Sequence, residues 1–341
     1  MNFKEKTMLR CLELARKGKQ KVTPNPMVGS VIVLDGKIIG EGYHKKHKGK
    51  HAEINAIESV QDKSLLKKST LYVNLEPCNH FGNTPPCTQA IILNKIQKVV
   101  IGSLDPNKKA RGGMSVLKEN GIDVEFGVLN QKCKYLNRRF YTYQLKKRPY
   151  IILKWAQTLD GFIAPNNPLQ NNPLQISCRE SKKLLHQWRA EEDAILIGKK
   201  TAILDRPRLT TRYYNGKNPV KVLLDNNLEV QRENNIFNTG RILVFNKIQS
   251  NKGKIEHIKL DSSYNLDDVL SYLYKKNILS IIIEGGRNIL DSFISKKIWD
   301  EARIFTSNKK LKSGLQAPII NKKQKCSKLI GIDTLKIYFN K

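Results

Sequence analysis

The sequence predicts an α/β protein built as two domains. Three observations carry this reading. The chain has 341 residues, a length suited to about two domains of roughly 150 residues each. In both halves, apolar runs of strand length alternate with segments of helical period. Between them lies the run Lys146-Lys147-Arg148-Pro149, where one α/β pattern ends and another begins. Domains are therefore expected at residues 1–146 and 147–341. Each is large enough for its own core, so no disulfide or metal staple is needed.

The elements follow in order. Residues 3–18 place Met8, Leu9, Leu12 and Ala15 on one helical face and stop at Gly18. Residues 28–34 and 37–43 flank Asp35-Gly36, a strong hairpin signal. Residues 51–60 read as a helix and 70–75 as a strand. Residues 84–96 read as a helix with Pro85 and Pro86 in its opening, where a missing N–H costs little. A strand at 98–104, a helix at 113–120 and a strand at 122–128 come next. Residues 129–144 read as one helix leaving the domain. In the second half, strands are expected at 150–156, 194–198, 220–224, 242–245 and 280–283. Helices are expected at 181–190 and at 287–295. Residues 165–173, rich in Asn and Pro, read as a loop. No internal repeat is visible.

Composition narrows the function classes. Hydrophobic residues at 40% and charged residues at 27% describe a globular chain. The formal net charge is +31, from 61 Lys+Arg against 30 Asp+Glu. Such a charge invites a polyanionic partner. Yet Lys far outnumbers Arg, and the basic residues are scattered through both halves in short pairs. Asn and Ile are abundant as well, and all three residue types have A/T-rich codons. Proteins that read nucleic acid concentrate Arg, which grips phosphate and guanine bidentately. No nucleic-acid partner is expected. Six cysteines in a chain this long do not form a disulfide framework. Residues 1–10 lack the apolar core of a secretory signal, and no stretch approaches the roughly 18 apolar residues of a membrane span. A cytoplasmic protein with reduced thiols is expected.

Three short features carry chemistry in the first half. His51-Ala52-Glu53 opens a helix, Glu76-Pro77-Cys78 follows a strand, and Pro85-Pro86-Cys87 opens the next helix. One His and two Cys suit a tetrahedral zinc site with its fourth position open, the catalytic arrangement. Zinc in such a site lowers the pKa of water towards neutrality. Glu53 lies two residues past the ligand His51 and can carry a proton to a leaving amine. This is the H-x-E…P-C signature of zinc deaminases. Cys11, Cys133, Cys178 and Cys326 read as ordinary thiols, and any one of the three pieces alone would say little. In the second half, Gly285-Gly286 follows the apolar run Ile281-Ile282-Ile283 and leads into a helix. Backbone N–H groups there can hold a phosphate, although such a pair can also be only a turn. No G-x-G-x-x-G stands in the chain, so a Rossmann site is not expected.

Cys87 follows Cys78 by nine residues, wider than in nucleic-acid deaminases. The run Leu75-Glu76-Pro77-Cys78-Asn79-His80-Phe81-Gly82-Asn83-Thr84-Pro85-Pro86-Cys87 resembles the L-E-P-C-x-H-x-G-R-T-P-P-C pattern of the bifunctional riboflavin-biosynthesis deaminase/reductase family. The resemblance extends to Pro24-Asn25-Pro26-Met27-Val28-Gly29, to Gly40-Glu41-Gly42-Tyr43-His44 and to Asp105-Pro106-Asn107. In the second half it continues through Leu153-Lys154-Trp155-Ala156-Gln157-Thr158-Leu159-Asp160-Gly161. Further on it includes Arg189-Ala190 with Asp193 to Gly198, and Thr201, Asp205, Pro207, Leu209, Thr210 and Arg212. It covers nearly the whole chain.

The resemblance implies a cytidine-deaminase-like three-layer N-terminal domain and a dihydrofolate-reductase-like C-terminal domain. It implies zinc and NADPH as cofactors and self-association. It also implies a small phosphorylated pyrimidine substrate, deaminated first and then reduced from ribosyl to ribityl. By position, His51, Cys78 and Cys87 would ligate zinc and Glu53 would shuttle the proton. Asn25, His44, His80, Asp105 and Asn107 would line the pyrimidine and ribose-phosphate pocket. Ala156, Thr201, Asp205 and the run Gly286, Arg287, Asn288, Ile289, Leu290, Asp291 and Ser292 would face NADPH. Arg189, Leu209, Arg212 and Glu284 would face the substrate.

The chain departs from the family pattern at several points. Asn83 stands for an arginine, Pro173 for a serine, Gln175 for a tryptophan and Arg206 for a second acid. Most of these departures fall in the reductase half. Two alternatives stand beside the bifunctional reading: a deaminase whose reductase half is mainly structural, and a nucleic-acid-binding deaminase.

Overall fold

The computed structural model of the chain describes residues 1–82, 85–167, 174–251, 253–261, 263 and 265–340. They divide into two compact units, Met1–Lys147 and Arg148–Lys341.

In the first unit, α1 (Phe3–Arg16) opens on a capping box. The Asn2 side chain accepts from the Glu5 N–H while the Glu5 carboxylate accepts from the Asn2 N–H. Strands β1 (Gly29–Leu34) and β2 (Lys37–Tyr43) form the hairpin, with positive φ at both Asp35 and Gly36. Then come α2 (Ala52–Ser59), β3 (Thr70–Val73), α3 (Cys87–Leu93), β4 (Lys98–Ile101) and α4 (Gly113–Glu119). The unit ends with β5 (Asp123–Phe126), α5 (Asn130–Leu136) and α6 (Arg138–Lys146). The sheet order is β2-β1-β3-β4-β5. β1 runs antiparallel to its neighbours, and β3, β4 and β5 are parallel.

Strand alternation sorts the core into two layers. Val31, Val33, Tyr72 and Val100 pack with Met8 and Leu12 of α1 and Cys133 of α5. Ile32, Leu71, Val73 and Val99 pack on the other face with Ala56, Ile91 and Leu117 from α2, α3 and α4. The result is the three-layer arrangement.

Two expectations needed correction here. Helix α3 begins at Cys87, because Pro85 precedes another proline and is driven out of the helical region. Residues 129–144 form two helices that break at Asn137. The buried amide of that residue accepts from the Met27 N–H and donates to the Met27 carbonyl, each at 2.9 Å.

The second unit begins with β6 (Tyr150–Gln157), β7 (Phe162–Ala164), α7 (Arg179–Glu191), β8 (Ala194–Gly198) and α8 (Lys199–Asp205). It continues with β9 (Val220–Leu224), β10 (Ile242–Asn246), β11 (Ile255–Lys259), α9 (Leu266–Lys275), β12 (Ser280–Ile283) and α10 (Arg287–Ser295). It closes with β13 (Glu301–Thr306), β14 (Leu315–Gln316), β15 (Cys326–Ile330) and β16 (Asp333–Phe339). The main sheet has nine strands in the order β11-β10-β9-β8-β12-β6-β13-β16-β15. From β11 to β13 every pairing is parallel, and β16 and β15 add on antiparallel.

Runs such as Ile151-Ile152-Leu153 suit a sheet covered on both faces. One face packs against α9 and α10, the other against α7 and α8. Elements β7, α8, β11, α9 and β13 to β16 lay outside the sequence expectations. β13 is buried but carries Glu301 and Arg303, which pair at 2.7 Å and interrupt the apolar pattern. β11 and β15 are edge strands, only partly buried and without a continuous apolar run. Residues 165–167 are irregular, and the rest of the expected loop lies outside the described residues. Among the described residues, no helix is long and apolar enough to cross a membrane.

Candidate active sites

His51 is the residue before α2, Cys87 opens α3, and Cys78 lies in the loop that follows β3. The fold brings their ligand atoms within 4.8 Å of one another. His51 Nδ1 lies 3.3 Å from Cys87 Sγ and 3.5 Å from Cys78 Sγ. Zn–N of about 2.0 Å and Zn–S of about 2.3 Å at tetrahedral angles require an N···S edge of about 3.5 Å. The donor set therefore fits zinc. Hydrogen bonding from the Cys87 thiol, the neighbouring His51 and the Cys87 N–H at 3.4 Å holds the Cys78 thiol well below its ordinary pKa. This favours a thiolate, the form that binds metal. Glu53, in the first turn of α2, is 3% exposed and interacts with His51, Cys78 and Cys87. Burial pushes its carboxyl up to about 7.

The expected pocket residues gather around this centre to different degrees. The buried His44 ring lies edge-on to His51, with centroids 5.3 Å apart. His44 Nδ1 donates to the Lys50 carbonyl at 3.0 Å, which leaves Nε2 to accept from Asn25 Nδ2 at 3.1 Å. Burial also lowers the His44 pKa, consistent with a neutral ring. Asp105 is buried and pushed up to about 7, chiefly by desolvation. Its Oδ1 accepts from the Asn107 N–H at 2.8 Å, and Asn107 Oδ1 accepts from the Lys109 N–H at 3.1 Å. His80 Nδ1 is buried with no hydrogen-bond partner among the described residues. Asn83 lies outside the described residues.

In the second unit, the parallel order β8-β12-β6 sets the ends of three strands side by side. Gly285, just after β12, crosses the end of β8 so closely that a Cβ would stand 2.5 Å from Ile197 Cα. Glycine is required there for space. The Gly286 N–H donates to Thr201 Oγ1 at 2.9 Å, and no side chain caps α10. Arg189, near the end of α7, grips Glu284 bidentately at 3.1 and 2.8 Å, and both are largely buried. Burial pushes Glu284 up, but Arg189 and Lys154 outweigh it and hold the carboxyl below its ordinary range.

Lys154, buried on β6, has its pKa lowered by desolvation. It was not among the expected site residues. A lysine inside a run such as Ile151-Ile152-Leu153 was the available signal. His186, three residues before Arg189, lies near the same charges. It is 3% exposed, its Nδ1 has no hydrogen-bond partner among the described residues, and its ring meets Tyr213 at 4.7 Å. Arg212 is exposed and stacks on Tyr213 beside a 570 Å³ cavity that also touches Thr210 and Tyr214.

The remaining expected residues are more dispersed. Ala156 is partly buried on β6, and Asp205 is exposed at the end of α8. Arg287 is paired with Asp291 at 2.9 Å. Asn288 and Ser292 are exposed, and Ile289 packs on Gly198. Leu209 and Leu290 bury their side chains in the two core layers, so only their backbones can meet a ligand.

Two family models match the chain. One, the cytidine and deoxycytidylate deaminase zinc-binding region, matches residues 1–103. The other, the RibD C-terminal domain, matches residues 149–318. The riboflavin biosynthesis protein RibD of Aquifex aeolicus is 40% identical over 317 residues, 90% of this chain and 88% of that protein. The chain belongs to the RibD family. The family member from Synechocystis is 36% identical over 321 residues, 91% of this chain and 86% of its own length. The crystal structure of a diaminohydroxyphosphoribosylaminopyrimidine deaminase/5-amino-6-(5-phosphoribosylamino)uracil reductase from Thermotoga maritima superimposes with a TM-score of 0.89. It is 35% identical and is covered over 98% of both chains. RibD of Acinetobacter baumannii gives a TM-score of 0.88 at 27% identity, over 99% of this chain and 98% of that one.

As a RibD family member, the chain is a bifunctional enzyme of riboflavin biosynthesis, a zinc-dependent deaminase joined to an NADPH-dependent reductase. Its departures from the RibD pattern have local structural outcomes. Arg206 donates to the Glu233 carbonyl at 2.8 Å, and the Gln175 carbonyl accepts from Lys309 Nζ. Pro173 lies outside the described residues.

Proposed function

We propose that residues 1–146 deaminate 2,5-diamino-6-(5-phosphoribosylamino)pyrimidin-4(3H)-one and that residues 147–341 reduce the ribosyl group of the product to ribityl. The names of the relatives support this substrate class. The observation that carries it is the convergence of His51, Cys78 and Cys87 beside the buried Glu53. A zinc ion held by those three residues supplies Lewis acidity towards water. Glu53 takes a proton from the attacking water and returns one to the departing amine. Asn25 and His44, joined by a hydrogen bond next to His51, orient the pyrimidine. Asp105 and Asn107 line the same pocket.

In the second step, NADPH supplies the hydride. Thr201 and the start of α10 offer donors at the strand ends for its phosphate. Arg189 is already committed to Glu284, so the pair orients the substrate through its remaining donors and acceptors. Arg212, exposed beside its cavity, is the better placed of the two arginines to take the substrate phosphate. The family resemblance further supports self-association and a cytoplasmic location. Light scattering of the purified chain tests the first of these.

The decisive test gives purified protein of known zinc content the pyrimidine substrate, with and without NADPH. Ammonia is expected in both cases, and NADPH oxidation should follow deamination. Glu53→Ala should lower ammonia release by about a thousandfold, within the usual range for general acid–base groups, and should leave bound zinc intact. Retained deamination would remove Glu53 from this role.

A further inference from the structure

Glu76 lies two residues before Cys78 and belongs to none of the groups assigned above. Its buried carboxylate accepts three backbone N–H bonds. Oε2 accepts from Asp105 at 3.0 Å, and Oε1 accepts from Gly112 at 3.1 Å and Met114 at 3.0 Å. Those amides stand at the two ends of one loop, which starts at Asp105, carries Asn107 and runs into α4. The backbone N–H of Glu76 donates to the Ser103 carbonyl at 2.8 Å, which ties it to the end of β4 as well.

The loop lies directly on the metal-ligand elements. Ala110 packs against Cys78 and Cys87, and its carbonyl accepts from the Asn79 N–H at 3.0 Å. At the far end, a Cβ on Gly113 would collide with the Pro77 carbonyl oxygen, so the loop seats flush on that residue. Between residues 106 and 112 only Ala110 is buried, so apolar packing adds little beyond that contact, and hydrogen bonds shape the loop: within it from the Ala110 and Arg111 N–H groups to the Asn107 carbonyl, and at its ends to Glu76. A carboxylate is acceptor-only on both oxygens, which lets one side chain take N–H groups from both ends of the loop.

We propose that Glu76 is a positioning residue for deamination. It clamps the 105–113 loop at both ends and thereby sets Asp105 and Asn107 over the Cys78–Cys87 centre without touching substrate itself. The inference rests on the reading that Asp105 and Asn107 line the pyrimidine pocket.

Glu76→Gln tests it. An amide must turn its NH2 towards at least one of the three N–H donors, so one arm of the clamp is lost while the shape is kept. The KM for the pyrimidine should rise on the order of tenfold, the size of one lost charge-assisted hydrogen bond, with a smaller fall in kcat. Zinc content should not change, nor should NADPH oxidation with the deaminated substrate, which reports folding of the other half. Asn107→Ala alone should also raise KM. Combined with Glu76→Gln its effect should be much less than additive, because both changes act through the same loop. Additive effects, lost zinc, or a wild-type KM in Glu76→Gln would overturn the proposal while leaving the pocket reading intact. An unchanged KM in Asn107→Ala would overturn the pocket reading and the proposal together. Should Glu76→Gln not fold, Glu76→Asp keeps the charge, shortens the reach and gives the same test.

Discussion

The two halves assemble their sites in opposite ways. In the deaminase half, His51, Cys78 and Cys87 come from a short stretch of chain and meet within 4.8 Å around elements that follow one another directly. In the reductase half, Lys154, Arg189 and Glu284 come from β6, α7 and the end of β12, which are far apart in sequence. They meet because the strand order β8-β12-β6 makes neighbours of distant segments. The first site is carried by local motifs, the second by topology. The charge logic differs too. The first buries potential anions that a cation would balance, whereas the second already balances a buried carboxylate against two cationic side chains.

Three experiments would break or sharpen that contrast. The largest effect is expected from removing metal. A strong chelator, or Cys87→Ser, should lower ammonia release by about three orders of magnitude, on the order of 4 kcal/mol of barrier. NADPH oxidation with the deaminated substrate should stay near wild type. Equal loss of both activities would show that the halves do not work independently.

The second effect is on stability. Glu284→Gln leaves the buried Arg189 and Lys154 without their counter-charge. Breaking one side of a buried pair costs about 3–5 kcal/mol, read by urea unfolding of the reductase half. The double variant Glu284→Gln with Arg189→Met should recover part of this loss. If Glu284→Gln proves nearly neutral, the pair is not the keystone of the second site.

The smallest effect is a pH dependence. Burial, followed by the charges of Arg189 and Arg212, lowers the His186 pKa to about 4. An exposed or unfolded histidine titrates near 6.5. The folded state therefore binds fewer protons than the unfolded state between those values. Stability contributed by the neutral ring is complete above about pH 6.5 and is lost as pH falls towards about 4. His186→Gln should flatten that part of the stability profile, and an unchanged slope would show that the ring is not held neutral.

Legibility followed the same division. The hairpin at Asp35-Gly36, the helix-opening His51-Ala52-Glu53 and the apolar strands β8, β9 and β12 were readable because each signal is contained within a few residues. Strand β13 was not, because Glu301 and Arg303 break its apolar run and are accommodated in the core by pairing with each other and with Tyr150 and Glu192. The break at Asn137 was not readable either. The helical period continues through it, and the cause is a pair of hydrogen bonds to Met27, distant in the chain. Lys154 and Glu76 went unassigned because the sequence shows only a charge beside an apolar run, not what the charge will meet.

By itself, the sequence determined the α/β alternation, the hairpin at Asp35-Gly36 and the one His and two Cys that could hold a metal ion, since periodicity, turn chemistry and ligand chemistry are local properties. The tertiary structure alone decided which charges are buried together and which loop each carboxylate holds. Those outcomes depend on strand order and on burial, which bring Glu284 to Arg189 and the ends of the 105–113 loop to Glu76. No local pattern encodes either meeting.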